Sequence, residues 1–493
     1  MVVTRSAEKL RSERILKTTN IHKSLYGQYL TPESIASFMA NLLIESTNTC
    51  SEIRILDPGA GQGILGISLA EKLFNKNSSL KISLDAYELD DSIIDDLERN
   101  LNQLNLSCKI RCKIIKDNFI DDVTKRIGWN DFLPYSHIIL NPPYKKLNVD
   151  SVDYRHLQEV GIETTNYYTA FISLSIVLLE KDGLLAAIVP RSFCNGKYFL
   201  NFRKLILKET SIISIHSFSS RTDSFKEEGV LQENIVIVLK KDKHQPKNVK
   251  ISSSSDRIFS NFKSNDISFD RIVHSSDPEL YFHIPSDEQS IEYDLSTSLD
   301  DLGLKISTGP IVDFRMKEKL RENPDPYSIP LLYPVHFKGG NLNWPCNSKK
   351  PNSIMLNQQE IEKTCFRRGY YVVVKRFSSK EEKRRLWPSL IKTNDIDTDY
   401  FAVENHINIF HANKQGLDGN IALGLYIFLN TQFADNLFRM FSGHTQVNAT
   451  DLKQFKYPNH SQLEKMANIF KNDSQIDFDK ILETVVHNVG QDS

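Results

Sequence analysis

Short β-rich runs alternate with longer amphipathic runs between residues 25 and 240, and this alternation constrains the fold more than any other feature. Three runs place apolar residues at helical spacing, at residues 63–74, 91–104 and 168–181. Six shorter runs rich in β-branched residues predict strands, at residues 52–58, 81–89, 113–119, 136–143, 183–190 and 233–241. This order predicts an α/β fold with a mostly parallel, doubly wound sheet, whose ligands bind beyond the carboxyl ends of the strands.

The sequence changes in character after residue 245. The stretches KKDKHQPKNVK and ISSSSD, at residues 240–256, are charged and Ser-rich, which predicts a linker or a loop-rich edge over residues 246–300. Residues 301–493 mix short strand and helix patterns with many basic and aromatic residues, and they predict a second domain of the α+β class. The parallel sheet is then expected within residues 1–245.

Composition restricts the setting in which such a chain works. The formal net charge of −1 neither indicates nor excludes nucleic acid, because a basic face can exist within a neutral total. The first residues lack the apolar core of a signal peptide, and no apolar run approaches the roughly 18 residues of a membrane span. The six cysteines form no CxxC pair. We therefore expect a cytoplasmic protein with free thiols, no membrane contact and no metal site.

A glycine-rich loop follows the first predicted strand, in the stretch DPGAGQG at residues 57–63. Its alternate glycines, Gly59, Gly61 and Gly63, permit a tight turn and a close approach of the backbone to a ligand. Glu88 ends the second predicted strand, where an acid can accept hydrogen bonds from both hydroxyls of a ribose. Because the loop is not GxGxxG and seats no second phosphate, the pattern favours an adenosyl cofactor carrying an amino acid over NAD. A turn without a ligand is the alternative.

The ends of the neighbouring strands carry further candidates for the same ligand. Asp57 closes the first strand and Asp117 closes the third. The Asp117 carboxylate can accept from an adenine amino group, and the Phe119 ring can cover the face of the base. A turn acid and a core aromatic are the alternative interpretation of these two residues.

The stretch SHIILNPPYKKL, at residues 136–147, ends a strand with an amide, two prolines and a phenol. Asn141 offers a side-chain carbonyl and Pro142 offers a backbone carbonyl without an N–H of its own. Two acceptors that converge on one amino group localise the nitrogen lone pair, so the nitrogen can attack a methyl sulfonium without a strong base. Tyr144 supplies a ring face for a planar substrate. An ordinary turn after a strand is the alternative.

The NPPY and DPGAGQG motifs together resemble those of amino-methyltransferases that use S-adenosylmethionine. The segment GQYLTP, at residues 27–32, resembles the gamma-class N6-adenine DNA methyltransferases of type II restriction–modification systems. The subgroup that modifies palindromic six-base sites has a similar C-terminal half, and the similar segments are residues 304–315, 372–388, 404–410 and 444–458. The resemblance covers most of residues 20–460. It implies a Rossmann-like class I methyltransferase domain followed by a DNA target recognition domain.

The resemblance also assigns roles to residues that match its motifs. It implies that S-adenosylmethionine is held by Thr31, Asp57, Gly59, Gly61, Gly63, Glu88, Asp117 and Phe119. It implies that Asn141 and Pro142 act on the adenine, while the rings of Tyr144 and Phe225 stack on the flipped base. A threonine before a predicted helix can also be explained by helix capping alone.

The resemblance implies double-stranded DNA as the substrate and no metal cofactor. A cognate restriction endonuclease of the same bacterial-type cytoplasm shares the site without needing to touch the methyltransferase. Transfer to one strand at a time favours a monomer over a dimer. Hexamers such as CTGCAG or CTCGAG are compatible with the resemblance, which does not choose between them.

A basic run lies in the second predicted domain. Residues 366–387 contain eight Lys or Arg against two Glu, with aromatic residues interleaved, which predicts a DNA-facing surface rather than a merely solvated one. Three arginines of this run are candidates for DNA contact, namely Arg376, Arg384 and Arg385. Four polar residues are candidates for reading base edges, namely Asn405, His406, Gln446 and Asn448.

Three other classes share part of this pattern. The NPPY motif also occurs in methyltransferases of RNA and of protein glutamine, which usually lack a basic C-terminal domain of this size. A restriction enzyme fused to a methylase would need a nuclease domain, for which only some 25 residues precede GQYLTP. Methyltransferases of cytosine N4 typically begin the motif with serine. Asn141 therefore favours a DNA adenine-N6 methyltransferase.

Overall fold

The computed structural model describes residue 4 and residues 31–47, 51–218, 234–256, 258–274, 277–284, 293, 295–378, 382–441 and 446–486. The chain divides into two compact units, residues 1–286 and 287–493. The boundary lies inside the segment 246–300 that the sequence predicted as a linker or loop-rich edge.

The first unit is built on a nine-stranded sheet with the order β3-β2-β1-β4-β5-β7-β6-β8-β9. Its strands are β1 (Glu52–Pro58), β2 (Lys81–Tyr87), β3 (Arg111–Ile115), β4 (Tyr135–Leu140), β5 (Leu179–Pro190), β6 (Ser211–Phe218), β7 (Asn234–Lys240), β8 (Asn248–Ser254) and β9 (Lys263–Ser268). Strands β1 to β5 pair in parallel, and β7 is antiparallel to both β5 and β6. This is the Rossmann-like class I methyltransferase arrangement that the sequence predicted.

Helices cover both faces of this sheet. The α-helices with described ranges in the first unit are α1 (Glu33–Ser46), α2 (Ile64–Lys76), α3 (Asp91–Cys108), α4 (Phe119–Trp129), α5 (Val152–Glu159), α6 (Tyr167–Leu178), α7 (Leu200–Glu209) and α8 (Phe269–Ile272). Buried side chains of α1, α2 and α3 form one apolar core with the sheet, and those of α4 to α7 form the other. Because β4 is covered on both faces, all six of its residues are buried, which explains its continuous apolar sequence.

Two strands lie where the sequence predicted a linker or loop-rich edge. Strand β8 pairs in parallel with β6, and β9 pairs with β8 at the margin of the sheet. The Ser-rich stretch can form a strand because Ser252 and Ser254 point inward and bond the buried His216 ring, at 2.9 Å from Nδ1 and 3.1 Å from Nε2. Buried polar groups that are paired in this way no longer oppose burial. Strand β6 itself, which contains His216, was not predicted either.

The second unit contains two further sheets and a set of C-terminal helices. The sheets have the orders β10-β20-β17-β18-β14-β13 and β11-β15-β12-β19-β16. Their strands are β10 (Lys305–Thr308), β11 (Leu320–Arg321), β12 (Ile329–Leu332), β13 (Phe337–Lys338), β14 (Asn341–Leu342), β15 (Ser353–Ile354), β16 (Phe366–Arg367), β17 (Tyr371–Lys375), β18 (Pro388–Ile391), β19 (Tyr400–Val403) and β20 (Ile407–His411). The helices are α9 (Gln358–Thr364), α10 (Gly419–Asn430), α11 (Gln432–Phe441), α12 (Ala449–Lys453), α13 (His460–Asn472) and α14 (Phe478–Val485). This is the α+β architecture predicted for the C-terminal half.

Asp57 connects the end of β1 to the start of α2. Its side chain is fully buried, and Oδ2 accepts a hydrogen bond from the backbone N–H of Gly66 in the first turn of α2, at 2.9 Å. Burial raises the pKa of Asp57 to about 7, although the bond from Gly66 opposes the shift and the nearby Glu88 carboxylate adds to it.

This raised pKa predicts how stability depends on pH. Between about pH 4 and pH 7 the folded state holds a proton on Asp57 that the unfolded chain releases, so the free energy of unfolding should fall as pH rises through this range. An asparagine at this position would carry no charge, and its side-chain oxygen could still accept the Gly66 bond. We therefore expect Asp57→Asn to flatten the pH dependence, by about 1.4 kcal/mol for each unit of pKa shift removed.

The measurement is the midpoint of thermal unfolding of the two proteins between pH 4 and pH 8. The exposed Asp131 provides the matched control, because Asp131→Asn removes a carboxylate that is not buried. Parallel curves for the wild type and Asp57→Asn would contradict the predicted burial of a titrating carboxyl.

Candidate active site

A cavity of about 260 Å³ opens at the carboxyl edge of the parallel strands in the first unit. Strands β1, β2 and β4 end beside it, as expected for a doubly wound sheet. The lining of this cavity includes seven residues that were predicted from the sequence to form the site, namely Thr31, Gly59, Gly61, Glu88, Asp117, Phe119 and Asn141. The structure therefore brings the glycine loop and the NPPY segment to one site.

Glu88 holds the glycine loop in place. Its Oε2 accepts the backbone N–H of Gly61 at 2.7 Å, while Oε1 accepts the N–H groups of Leu89 and Asp90, each at 2.8 Å. The carboxyl is 3 % exposed, and burial raises its pKa despite these bonds. Glu88 also lines the cavity, so the same residue that shapes the loop borders the space in which a ligand would lie.

Gly59, Gly61 and Gly63 all adopt positive φ, at 76°, 57° and 81°. Such angles favour glycine strongly, because other L-residues reach them only with strain. The loop therefore needs all three glycines for its backbone path, whether or not each touches a ligand. Gly63 itself directly precedes α2 and lies beneath the cavity against Leu97.

Aromatic rings form one wall of the cavity. The Phe119 ring packs between those of Tyr87 and Phe171, at centroid distances of 5.1 and 4.9 Å. Strand β3 ends at Ile115, and Asn118 caps α4 by accepting the N–H of Ile120 at 2.9 Å. Asp117 and Phe119 thus reach the cavity from the turn that starts a helix, rather than from the strand end that the sequence suggested.

The NPPY segment forms another wall, and its polar side chains are tethered. The amide nitrogen of Asn141 donates to the hydroxyl of Thr31 at 3.0 Å. The hydroxyl of Tyr144 donates to the carbonyl of Ile188 in β5, also at 3.0 Å. Pro143 lines the cavity, while Pro142 is buried behind it.

Among the described residues, four sequence candidates lie off the lining of this cavity, namely Asp57, Gly63, Pro142 and Tyr144. Asp57 is enclosed under the loop, where it organises the start of α2. Tyr144 is half-buried, with its ring 6.4 Å from that of Tyr168. Phe225 lies outside the described residues.

Sequence reasoning missed several residues that line the cavity, among them Lys145, Asp153, Tyr167 and Phe171. The Asp153 carboxylate joins two elements, because it accepts from the Tyr167 hydroxyl at 2.7 Å and from the Asn118 amide at 3.0 Å. These residues come from the start of two helices and from the loop after NPPY. Only the aromatic-rich stretch at residues 166–171 gave a sequence signal.

Four of the seven nucleic-acid candidates meet on one face of the second unit. The Arg376 guanidinium donates to the backbone carbonyl of Asn405 at 3.0 Å and to Oε1 of Gln446 at 3.4 Å. The rings of Phe377 and His406 lie 5.0 Å apart. We name this set the recognition surface, made of Arg376, Phe377, Asn405, His406 and Gln446.

A cavity of about 290 Å³ adjoins the recognition surface, and Lys350, Lys375 and Glu404 line it beside His406. The Glu404 side chain is fully buried, and it accepts both the backbone N–H and Nδ1–H of His406. With Nδ1 bonded to this carboxylate, Nε2 is the nitrogen left for an external partner. The His406 side chain is 48 % exposed.

Two of the arginines predicted to contact DNA make bonds within the second unit. Arg385 is fully buried, bonds Ser378 through Nε at 3.1 Å and lies 5.2 Å from the centre of the Phe438 ring. Arg384 donates to the carbonyls of Leu429, Asn430 and Thr431 at the end of α10. The burial of Arg385 contradicts its predicted contact with DNA, whereas the contact predicted for the half-buried Arg384 stays a prediction.

Asn448 follows Gln446 of the recognition surface by two residues. It directly precedes α12, and its amide donates to Asp451 at 3.2 Å.

Across the described residues, no three or more His, Cys, Asp and Glu side chains cluster as metal ligands. No helix in the same part of the chain is long and apolar enough to cross a membrane.

Comparisons with known proteins agree with this architecture. Residues 23–225 match the family model described as the Eco57I restriction-modification methylase. The chain is 40% identical over 482 residues to the type II methyltransferase M.BsuBI of Bacillus subtilis, covering 95% of each protein. It is 38% identical over 483 residues to the type II methyltransferase M.PstI of Providencia stuartii, covering 95% of this chain and 92% of that one.

One solved structure resembles most of the chain in fold. It is the type IIL restriction-modification enzyme MmeI in complex with DNA, with 12% identity, a TM-score of 0.51, and coverage of 92% of this chain and 72% of that one. The identity to the two full-length relatives, which extends through both units, decides the classification. The chain belongs to the type II methyltransferases of restriction–modification systems.

Proposed function

We propose that this protein transfers a methyl group from S-adenosylmethionine to N6 of adenine in a palindromic site of double-stranded DNA. The observation that carries the proposal is the single cavity shared by the glycine loop, Glu88 and Asn141. A cofactor held by the loop and an amino group held by Asn141 would meet there. The modification would protect the site from a cognate restriction endonuclease.

The residues around the cavity fit an adenosyl cofactor that carries an amino acid. Glu88 and Asp117 line the cavity, and their carboxylates would accept from ribose hydroxyls and from the adenine amino group. Phe119 and Phe171 present rings that can cover the base. The backbone at Gly59 and Gly61 allows the methionine part to approach closely. When bound, S-adenosylmethionine supplies a methyl sulfonium electrophile, and the proposed transfer uses no metal ion.

Asn141 and Pro142 would prepare the attacking nitrogen. The side-chain carbonyl of Asn141 and the backbone carbonyl of Pro142 accept the two N6 hydrogens of adenine, which localises the lone pair on nitrogen. As the nitrogen–methyl bond formed, the sulfur–methyl bond would break with its electron pair left on sulfur; one N6 proton would become acidic, and the carbonyl that holds it would pass it on to water. Fixed acceptors are effective here because their orientation costs no rearrangement during the reaction.

The adenine must leave the duplex to reach this cavity. We propose Tyr144 as one stacking face, with its ring direction fixed by the hydroxyl bond to Ile188. Phe225 is the candidate for the opposite face from sequence alone. Stacking on an aromatic ring contributes about 1–3 kcal/mol per base, which helps offset the cost of unstacking.

We propose that the second unit is the target recognition domain and that the recognition surface reads base edges. Arg376 braces Asn405 and Gln446, so its function on this surface is to fix their positions. His406 presents Nε2 outward, which suits a contact with a base edge in the major groove. We expect a monomer that acts on one strand at a time, in the cytoplasm, and shares its site with an endonuclease without contact.

We expect Asn141→Ala to abolish methylation, because it removes one of the two acceptors for the amino group. The loss in kcat should be about 100-fold or more. The measurement is methylome sequencing of DNA from cells that express the wild type or the variant. Asn102, an exposed residue of α3, provides the control variant Asn102→Ala, which should leave the pattern intact.

The expected result is N6-methyladenine at a single palindromic motif with the wild type and with Asn102→Ala, and none with Asn141→Ala. DNA that stays unmodified by the wild type would refute the DNA-adenine proposal. Methyl transfer to RNA or to protein glutamine would then be the remaining activities to assay with the same pair of variants.

We expect His406→Ala to weaken discrimination at one base position of the site. Losing one base contact should lower kcat/KM for the correct duplex by the equivalent of about 1–3 kcal/mol. For a duplex that already has another base at that position, kcat/KM should change little. The measurement is kcat/KM on a duplex with the methylome-defined site and on its single-base variants. His244→Ala, in the first unit, is the control because its side chain is 94 % exposed. Equal losses on every duplex would argue against base reading by His406.

A further inference from the structure

The hydroxyl of Thr31 is used by the active site rather than by the adjacent helix. Helix α1 begins at Glu33 after Pro32, and no side chain caps its first turn. Helix capping therefore does not explain the threonine. Its Oγ1 instead accepts the amide nitrogen of Asn141 at 3.0 Å, across 110 residues of sequence.

Burial and a hydrogen bond to α1 fix the position of the Thr31 segment. It is 4 % exposed, and Pro32 accepts the N–H of Ala36 at 3.0 Å, which joins the segment to α1. Helix α1 then packs against the sheet through Ile35 and Met39, which are fully buried. The position of the Thr31 hydroxyl is thus set by the packed core and not by a flexible loop.

The two branches of an asparagine amide are similar in shape but opposite in hydrogen bonding. An adenine amino group carries only hydrogens to donate in this contact, so it needs the Oδ1 branch as its acceptor. If the amide rotated by 180°, the nitrogen would face the amino group, and two donors would confront each other. A hydroxyl can also donate, so Thr31 could bond Oδ1 of a rotated amide; in the bond that the structure has, Thr31 accepts from Nδ2, and that orientation leaves Oδ1 as the branch for the amino group.

We propose that Thr31 is a positioning residue that fixes the side-chain amide of Asn141 with Nδ2 on its hydroxyl and Oδ1 directed to the target amino group. The inference rests on the proposed adenine-N6 methylation. It differs from the role implied by family resemblance, in which Thr31 holds the cofactor. The two roles predict different kinetic effects.

Thr31→Val removes the hydroxyl and keeps the shape of the side chain. We expect kcat to fall about 10- to 100-fold, because the amide can then rotate away from the reactive orientation. The dissociation constant for S-adenosylhomocysteine, measured by isothermal titration calorimetry, should stay close to that of the wild type. Thr31→Ser restores a hydroxyl and should recover most of the lost kcat.

A second substitution separates orientation from other effects of Thr31. In Asn141→Asp the carboxylate has two equivalent oxygens, so a rotation by 180° changes nothing. The fall in kcat caused by Thr31→Val should therefore be much smaller in the Asn141→Asp background than in the wild type. This double-mutant cycle measures the coupling of the two side chains directly.

Folding effects are controlled with a matched residue. Thr124 in α4 is also 4 % exposed, and its hydroxyl bonds the carbonyl of Ile120 at 2.7 Å, away from the cavity. Thr124→Val reports the general cost of losing a buried threonine hydroxyl. If Thr31→Val unfolds, Thr31→Ala supplies the same loss of hydroxyl in a smaller side chain.

Three results would overturn the inference. The first is an unchanged kcat in Thr31→Val together with binding of S-adenosylhomocysteine weakened about tenfold or more, which would make Thr31 a cofactor contact. The second is an equal effect of Thr31→Val with asparagine and with aspartate at position 141. The third is a wild-type protein that leaves adenine unmodified, which would refute the proposed function and this inference with it, whereas the first two leave the proposed function standing.

Discussion

The candidate active site depends on one buried carboxylate. Glu88 accepts three backbone N–H groups, and these bonds tie the glycine loop after β1 to the turn after β2. Strands β1 and β2 run parallel and in register from Glu52 opposite Lys81 to Pro58 opposite Tyr87, so their loops emerge side by side. Burial alone would disfavour the charged carboxylate, and the three donors oppose that effect. The loop is consequently shaped by the protein itself and needs little reorganisation to receive a ligand.

The opposite wall of the cavity is fixed by tethers to other elements. Asn141 bonds Thr31 from the segment before α1, and Tyr144 bonds Ile188 in β5. Between them, the two prolines restrict the backbone. The side chains of Asn141 and Tyr144 and the main chain of the NPPY segment are therefore held by separate parts of the fold. Such a segment can present acceptors at a fixed distance, which is what an in-line transfer to a weak nucleophile requires.

Sequence patterns predicted the parts of the structure in which local chemistry and tertiary position coincide. The glycine loop could be predicted because its alternate glycines directly follow an apolar strand pattern and precede a helical one. In the structure all three glycines adopt positive φ, which other residues reach only with strain. The polar strand β8 could not be predicted in the same way. Its serines become core residues only because His216 of β6, distant in sequence, supplies partners for Ser252 and Ser254. A pattern that depends on a remote partner carries no local signal.

The basic run of the second unit shows that the function of charged residues is also difficult to predict from a local sequence pattern. Arg384 and Arg385 are neighbours in sequence but have different partners. Arg384 donates to a backbone carbonyl at the end of α10, and Arg385 is buried beside the Phe438 ring. A count of charges along the chain cannot separate such residues from those that meet a ligand, because burial and partner decide their function. His406 shows the reverse case. Its neighbour Glu404 is buried and orients the ring, and that leaves one exposed nitrogen with a defined direction. Defined direction, rather than net charge, makes a side chain able to distinguish one base edge from another.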